Sequence, residues 1–388
     1  MKIGILHRSL HTARGAEKMV IDLCLGLKKR GLDITVIAQN IEPNIKKMFS
    51  HAGIHFYDIG GTPVGIKYWF SINNVVKKFK NQIPTDLDIL NAHNFPSHIA
   101  GHQYTQSQEK PLVCYIHEPP RFFYDRNYFR EASWSFKFFF GFIRHFYMIS
   151  DRKAIKSADL VLANSGFTKS KIDEIYAKNA HVVYPGIDVK KFSIRKEGQV
   201  YREQRFPNVD AVILTVARLS PVKNISMLIR SFKYAYKKVP SCRLVIIGSG
   251  PEKDSLIELS KALHIDHAIL FVENVPDEEM PIYYSMADIV AYPPLMEPWG
   301  LVPIEAMACE TPVVASNEGG PLESVIHKKT GLLSNPRDPV AFSKALLTLI
   351  KDEELRHKMG KEGRTLVKAD FSLDVMIDNF HSIFRSVL

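Results

Sequence analysis

Asp288-Ile289-Val290-Ala291-Tyr292 runs into Pro293-Pro294-Leu295-Met296 and then into Glu297-Pro298-Trp299-Gly300-Leu301-Val302-Pro303-Ile304-Glu305. The first five residues form a short apolar run with strand character. A Pro-rich loop follows, and a helix begins near Gly300, with Pro303 tolerated in its first turn. A strand passing through a loop into a helix is the repeating unit of a parallel sheet covered on both faces. The unit recurs almost from end to end. In the first half, strands are expected at residues 2–7, 33–38, 88–92, 112–116, 160–163 and 181–184. The second half restarts at 211–217, 243–247, 269–272, 288–292 and 312–315. Residues 15–30 have helical periodicity and stop at Gly31, a suitable C-terminal cap.

A chain of 388 residues is too long for one ordinary core and suits two domains. The fold class expected is α/β, with two doubly wound Rossmann-like domains facing across an interdomain cleft. The first covers 1–186, a charged linker without a clean period covers 187–208, and the second covers 209–370. Residues 371–388 form a C-terminal helix, with a return to the first domain left open. In such sheets ligands bind beyond the carboxyl ends of the strands, so the loops there are where chemistry is sought.

Composition narrows the class. Hydrophobic residues make up 46% and charged residues 24%, which excludes a disordered or fibrous chain. No run of about 18 apolar residues marks a membrane span, and the apolar start is too short for a signal peptide. Cys24, Cys114, Cys242 and Cys309 sit in apolar segments without C-x-x-C spacing, as reduced thiols of a cytoplasmic protein do. The net charge of +10 is uneven: residues 1–200 hold 29 Lys and Arg against 17 Asp and Glu, and residues 201–388 hold 22 against 24. Nucleic acid, an anionic membrane and a phosphorylated substrate all fit a basic first half.

The amides of Gly300, Leu301 and Val302 would form an anion site suited to a diphosphate. Glu305, one turn in, could accept from ribose hydroxyls, while Glu297 faces another part of the same ligand. Read blandly, both are solvated acids at a helix start. Arg218-Leu219-Ser220-Pro221-Val222-Lys223-Asn224 follows a strand directly. Its two cations could clamp a diphosphate from the opposite side and stabilise the charge that accumulates as it leaves. The bland reading is an exposed basic loop. The strand-end rule adds Gly248, Asn274 and Val275 as donor contacts.

The basic loop, the E-x7-E element (Glu297, Glu305) and the Gly-Gly-x-x-Glu stretch (Gly319, Gly320, Glu323) together resemble glycosyltransferase family 4 over essentially the whole chain. The resemblance implies a GT-B fold and retaining, metal-independent transfer from a nucleotide sugar, with no cofactor. It places Arg218 and Lys223 on the donor diphosphate, Glu305 on the ribose and Glu297 by the transferred sugar. In the first half, Arg14-Gly15-Ala16-Glu17 stands where the family has Gly-Gly-x-Glu, with Arg14 replacing the first glycine. Arg14 and Gly15 are expected at the acceptor. His117 ends a strand and precedes Glu118-Pro119-Pro120-Arg121. Related enzymes use such a His on the donor sugar or the acceptor, and Glu118 and Arg121 join the acceptor site. The run 318–324 looks like mannosyltransferases that extend lipid-linked oligosaccharides. That favours GDP-mannose, with a UDP-sugar as rival donor, and a lipid-linked or polysaccharide-precursor glycan as acceptor.

Residues 122–147 hold 13 aromatics, and residues 121–147 hold five Lys and Arg against two acids. An interfacial membrane contact needs such a segment, and a helix packed in the first domain explains it equally well. An anionic membrane surface is thus kept as a partner of the first domain, on its cytoplasmic face, and nucleic acid is not. Asp86-Leu87-Asp88 precedes its strand, at the end away from the expected cleft, and reads as a turn. Gly248-Ser249-Gly250-Pro251-Glu252-Lys253 imitates a dinucleotide fingerprint, with Lys253 where the third glycine belongs. His98 and His102 lack a nearby acid or thiol to complete a metal site. The competing readings are a nucleotide-sugar epimerase of the same fold and a non-catalytic membrane-surface-binding protein.

Overall fold

The computed structural model describes residues 1–11, 15–61, 66–125 and 134–388. Contacts divide the chain into two compact units, Met1–Pro185 with Met376–Leu388, and Gly186–Val375. Among the described residues each unit carries one parallel sheet. In the first, β1 (Lys2–Ser9), β2 (Asp33–Gln39), β3 (His55–Asp58), β4 (Ile89–His93), β5 (Leu112–Ile116), β6 (Leu160–Ala163) and β7 (His181–Val182) are ordered β3-β2-β1-β4-β5-β6-β7. In the second, β8 (Ala211–Val216), β9 (Cys242–Ile247), β10 (Ile269–Val272), β11 (Ile289–Tyr292), β12 (Val313–Ser316) and β13 (Gly331–Ser334) are ordered β10-β9-β8-β11-β12-β13. These are the two doubly wound α/β domains expected, and the order reverses between β1 and β4 and between β8 and β11.

The central strands are buried along their whole length because helices cover both faces, which is why they read as unbroken apolar runs. Two strands carried no such signal. β3, His-Phe-Tyr-Asp, is an edge strand with a mostly exposed pattern, and β13 offers only Leu332 and Leu333 as apolar residues. Residues 187–208, expected as a linker, fall within the second unit and contain the helix Lys196–Arg205. That helix buries only Gly198, whose absent side chain lets it approach the backbone of Ile282 and Met286, so no apolar stripe announced it. The last helix, Leu373–Val387, places Phe380 against Tyr115 of the first unit, with ring centroids 5.2 Å apart.

Candidate active site

In the second unit, the loops after β8, β11, β12 and β13 are tied to one another by hydrogen bonds to backbone carbonyls. Leu295 N–H donates to the Val222 carbonyl at 2.8 Å, and Asn224 Nδ2 donates to the carbonyls of Pro293 (3.1 Å) and Pro336 (2.7 Å). Gly320 N–H donates to the Glu297 carbonyl at 2.8 Å. Glycine is required where these loops cross. Gly319 has φ of +69°, and a Cβ there would lie 2.4 Å from the Glu297 carbonyl oxygen; one at Gly320 would lie 2.4 Å from Trp299 Cα. Gly300 has φ of +88°, and its Cβ would meet the Tyr292 hydroxyl at 2.5 Å. The Gly-Gly-x-x-Glu stretch is therefore a backbone support for the Glu297–Gly300 loop.

On this frame Lys223 Nζ lies 2.6 Å from Glu297 Oε2, across the reversal between β8 and β11. Arg218 is exposed and makes no hydrogen bond or ion pair with the described residues. The helix expected near Gly300 is Val302–Ala308, and Glu305 N–H to the Leu301 carbonyl (2.9 Å) is an early bond of that turn. Glu305 Oε2 accepts from the Tyr284 hydroxyl at 2.7 Å. Burial, then the Glu305 charge, push the Tyr284 phenol well above its ordinary value, so it stays a donor. Gly248 begins the loop after β9, where Leu219 N–H donates to the Ser249 carbonyl at 2.9 Å. Asn274 follows β10 with φ of +55°, beside Val275. Chemically, this is a rim of cations, amides and two carboxylates at one end of a sheet, the equipment for a diphosphate with hydroxyl-bearing groups on either side.

In the first unit, three histidines gather at the ends of β1, β4 and β5. Ring centroids are 5.4 Å apart for His93 and His117, 6.2 Å for His7 and His93, and 6.4 Å for His7 and His117. Burial lowers all three, His7 to about 4 and His117 to about 3, and holds His93 well below its ordinary value. All are neutral at pH 7. His117 N–H donates to Asn94 Oδ1 at 2.8 Å, which fixes the turn after β5. Glu118 accepts from Arg121 Nε at 2.6 Å and lies 3.7 Å from Lys171 Nζ. Gly15 opens the helix Gly15–Lys29 with φ of +54°. Arg14 lies outside the described residues, as do residues 126–133 of the aromatic segment.

Two family models match this chain: "Glycosyltransferase Family 4" over residues 13–191 and "Glycosyl transferases group 1" over residues 199–366. The chain belongs to the family 4 glycosyltransferases. A GDP-mannose-dependent alpha-(1-6)-phosphatidylinositol monomannoside mannosyltransferase from Mycolicibacterium smegmatis is 31% identical to this family member over 55% of its chain and 58% of the relative. Mouse alpha-1,3/1,6-mannosyltransferase ALG2 is 24% identical over 95% of this chain and 92% of its own. The chain spans about three fifths of the length of several curated relatives it matches, at 58%, 62% and 60%. Among solved structures, sucrose-phosphate synthase from Thermosynechococcus elongatus superposes with a TM-score of 0.82 at 20% identity, covering 100% of this chain and 98% of that one. The fold of this glycosyltransferase family member is GT-B.

The structure brings Lys223, Glu297, Gly300, Leu301, Val302 and Glu305 onto the interlocked loops of the second unit, and gathers His117, Glu118 and Arg121 at the end of β5. Sequence reasoning missed Tyr284, Arg337, His7, His93 and Asn91. Arg337 pairs with Glu318, whose Oε1 also accepts from Met296 N–H at 2.9 Å, and so braces the same loop. His7 and His93 were legible as strand-end histidines like His117. His98 does find an acid: Asp151, from a helix 53 residues later, lies 2.7 Å from its Nε2 and also accepts from the Tyr124 and Tyr176 hydroxyls. This is a buried structural network. Among the described residues no group of three or more His, Cys, Asp or Glu side chains is arranged to hold a metal ion. Lys253 pairs with Glu273 at 3.1 Å, and Asp86 and Asp88 bind Lys2 at the amino edge of β1.

Proposed function

We propose that this chain is a retaining glycosyltransferase that moves a sugar from a nucleotide-sugar donor to an acceptor hydroxyl. The observation that carries the reading is the Lys223–Glu297 pair on glycine-backed loops, with Arg218 exposed on the loop that holds Lys223. Arg218 and Lys223 take the diphosphate with the amides of Gly300, Leu301 and Val302. Glu305, oriented by Tyr284, takes the ribose, and Glu297 the transferred sugar. Gly248, Asn274 and Val275 complete the donor site. The bond from the anomeric carbon to the diphosphate oxygen breaks with its electron pair on the oxygen. The acceptor oxygen bonds to the same face of that carbon, and its proton passes to the departing diphosphate. Fixed cations stabilise this charge more in the transition state than before it, so the reaction is assigned no metal and no cofactor.

The first unit takes the acceptor through Arg14, Gly15, Glu118 and Arg121, with His117 at a hydroxyl. GDP-mannose is the favoured donor, on the strength of the 318–324 run and of relatives whose names specify mannosyl transfer. A glycan on a lipid is the favoured acceptor. Support for a peripheral place on the cytoplasmic membrane face comes from the helices Ile66–Gln82 and Trp134–Ser157. The first contains no acid, and the only acid of the second, Asp151, is fully buried. Phe70, Phe146 and Ile149 are 61%, 55% and 57% exposed, amid exposed Lys67, Lys77, Lys78, Arg152, Lys153 and Lys156. Exposed basic and apolar side chains on these two helices suit an anionic lipid interface. No helix of the described residues is long and apolar enough to cross a membrane.

Thermal denaturation with GDP, UDP and their sugars tests the donor assignment, because a ligand that binds only the folded chain raises its melting temperature. Stabilisation by one nucleotide and its sugar is expected. No response to any of them would overturn the function.

A further inference from the structure

Hydrogen-bond directions can be followed residue by residue from the interior of the first sheet to His117. Asn91 is fully buried on β4, and its Nδ2 lies 3.1 Å from the Val113 carbonyl oxygen of β5. A carbonyl only accepts, so the amide nitrogen must face it, and Asn91 Oδ1 is turned the other way. That oxygen lies 2.7 Å from His93 Nε2, which must therefore carry the proton. A neutral imidazole has one N–H, so His93 Nδ1 holds a lone pair. His93 Nδ1 is 3.2 Å from His117 Nε2, and His117 must donate across that distance. His117 Nδ1 is left as an acceptor. It has no partner among the described residues and is not among the atoms sealed from solvent.

We infer that Asn91 and His93 are positioning residues that lock His117 as the Nε2–H tautomer, so that its free Nδ1 receives a hydrogen from a ligand hydroxyl. The depressed pKa values agree: an imidazolium at His93 would put two N–H groups face to face, and burial disfavours the charge at His117. The chemical class follows from the lone pair. A neutral acceptor binds a sugar or acceptor hydroxyl and disfavours a phosphate or carboxylate oxygen, which needs an N–H. His7 is set in a comparable way: its Nδ1 faces the Ser9 carbonyl at 2.7 Å and the Ser9 N–H at 3.3 Å, and the shorter contact, to a group that only accepts, makes Nδ1 the donor and leaves Nε2 as the lone pair. The ligand part of this inference rests on the glycosyltransferase reading; the tautomer part does not.

The test is long-range proton–nitrogen NMR on the full chain with nitrogen-labelled histidine at pH 7, His117 being assigned by its loss in His117→Gln. A protonated Nε2 and a bare Nδ1 are expected. An Nδ1–H tautomer overturns the relay, and an imidazolium overturns the free Nδ1 acceptor, whatever the activity. In His93→Phe, checked for folding by its melting curve, His117 should become a mixture of tautomers, and an unchanged Nε2–H form would show that the relay does not set it. If that variant does not fold, the wild-type spectrum still decides. A chain with the expected tautomer that ignores every nucleotide sugar overturns the function and leaves the relay standing.

Discussion

Lys223 Nζ and Glu297 Oε2 are 2.6 Å apart, joining the loop after β8 to the loop after β11 where the strand order reverses. The side chains are 23% and 16% exposed, so the pair is partly withdrawn from water. Without a donor, each holds the other in place. Lys223→Ala removes a diphosphate contact and leaves a shielded carboxylate unpaired. Sugar transfer should fall about 100- to 1,000-fold, as on loss of one transition-state donor. Stability should drop by about 1–3 kcal/mol. Steady-state kinetics beside a urea melt separates the two effects, and near-normal turnover would remove Lys223 from the site.

Gly300→Ala should damage the second unit locally. A left-handed φ costs an alanine about 1–2 kcal/mol, and the collision with the Tyr292 hydroxyl adds about 1–3 kcal/mol. Gly320→Ala should behave alike through Trp299. Both variants should bind nucleotide more weakly than a control at an exposed position, Gly141→Ala, where a Cβ meets nothing within 4 Å among the described residues. Equal nucleotide affinity in all three would contradict the interlocked loops.

The histidine cluster gives stability a pH dependence of defined sign. His7 and His117 ionise near 4 and 3 in the folded chain against an ordinary 6.5, so on acidification the unfolded chain takes up protons first. Their contribution is complete above about pH 6.5 and is lost as pH falls below it, down to the folded values, by about 1.4 kcal/mol per pH unit per residue. Chemical denaturation at pH 7 and pH 5 should show lower stability at pH 5. His117→Gln should flatten that difference, and an identical difference in the variant would show that His117 is not responsible.

Vesicle sedimentation tests the lipid-facing helices. The chain should pellet with anionic vesicles at low salt and be released as salt rises. Phe146→Ser with Ile149→Ser should weaken pelleting without lowering the melting temperature, because both side chains lie outside the core. Pelleting unaffected by the pair of substitutions would place the contact elsewhere.

Much of the fold was legible locally. β5 and β6 have the expected bounds, because strands buried on both faces must be apolar throughout, and β10, a half-buried edge strand, has them because all four of its residues are apolar. β13 is largely buried but, as Gly-Leu-Leu-Ser, too short in apolar residues to be read, and β3 was not legible because an edge strand mostly in water needs no such run. The helix Lys196–Arg205 hid for the same reason. In the site, the Glu297–Glu305 spacing, the basic loop and His117 could be found because each sits immediately after a strand.

What the chain alone determined is therefore periodic or adjacent: two parallel sheets, their strand-end loops, and a basic first half with a neutral second. What only the tertiary structure decided is pairwise and distant. Lys223 meets Glu297, Tyr284 meets Glu305, and Asn91 orients His93 and His117, over separations of 74, 21, 2 and 24 residues. Even the shortest of these depends on a carbonyl from the neighbouring strand to turn the amide. Hydrogen-bond direction is set by what lies across a packed interface, and no linear spacing encodes that.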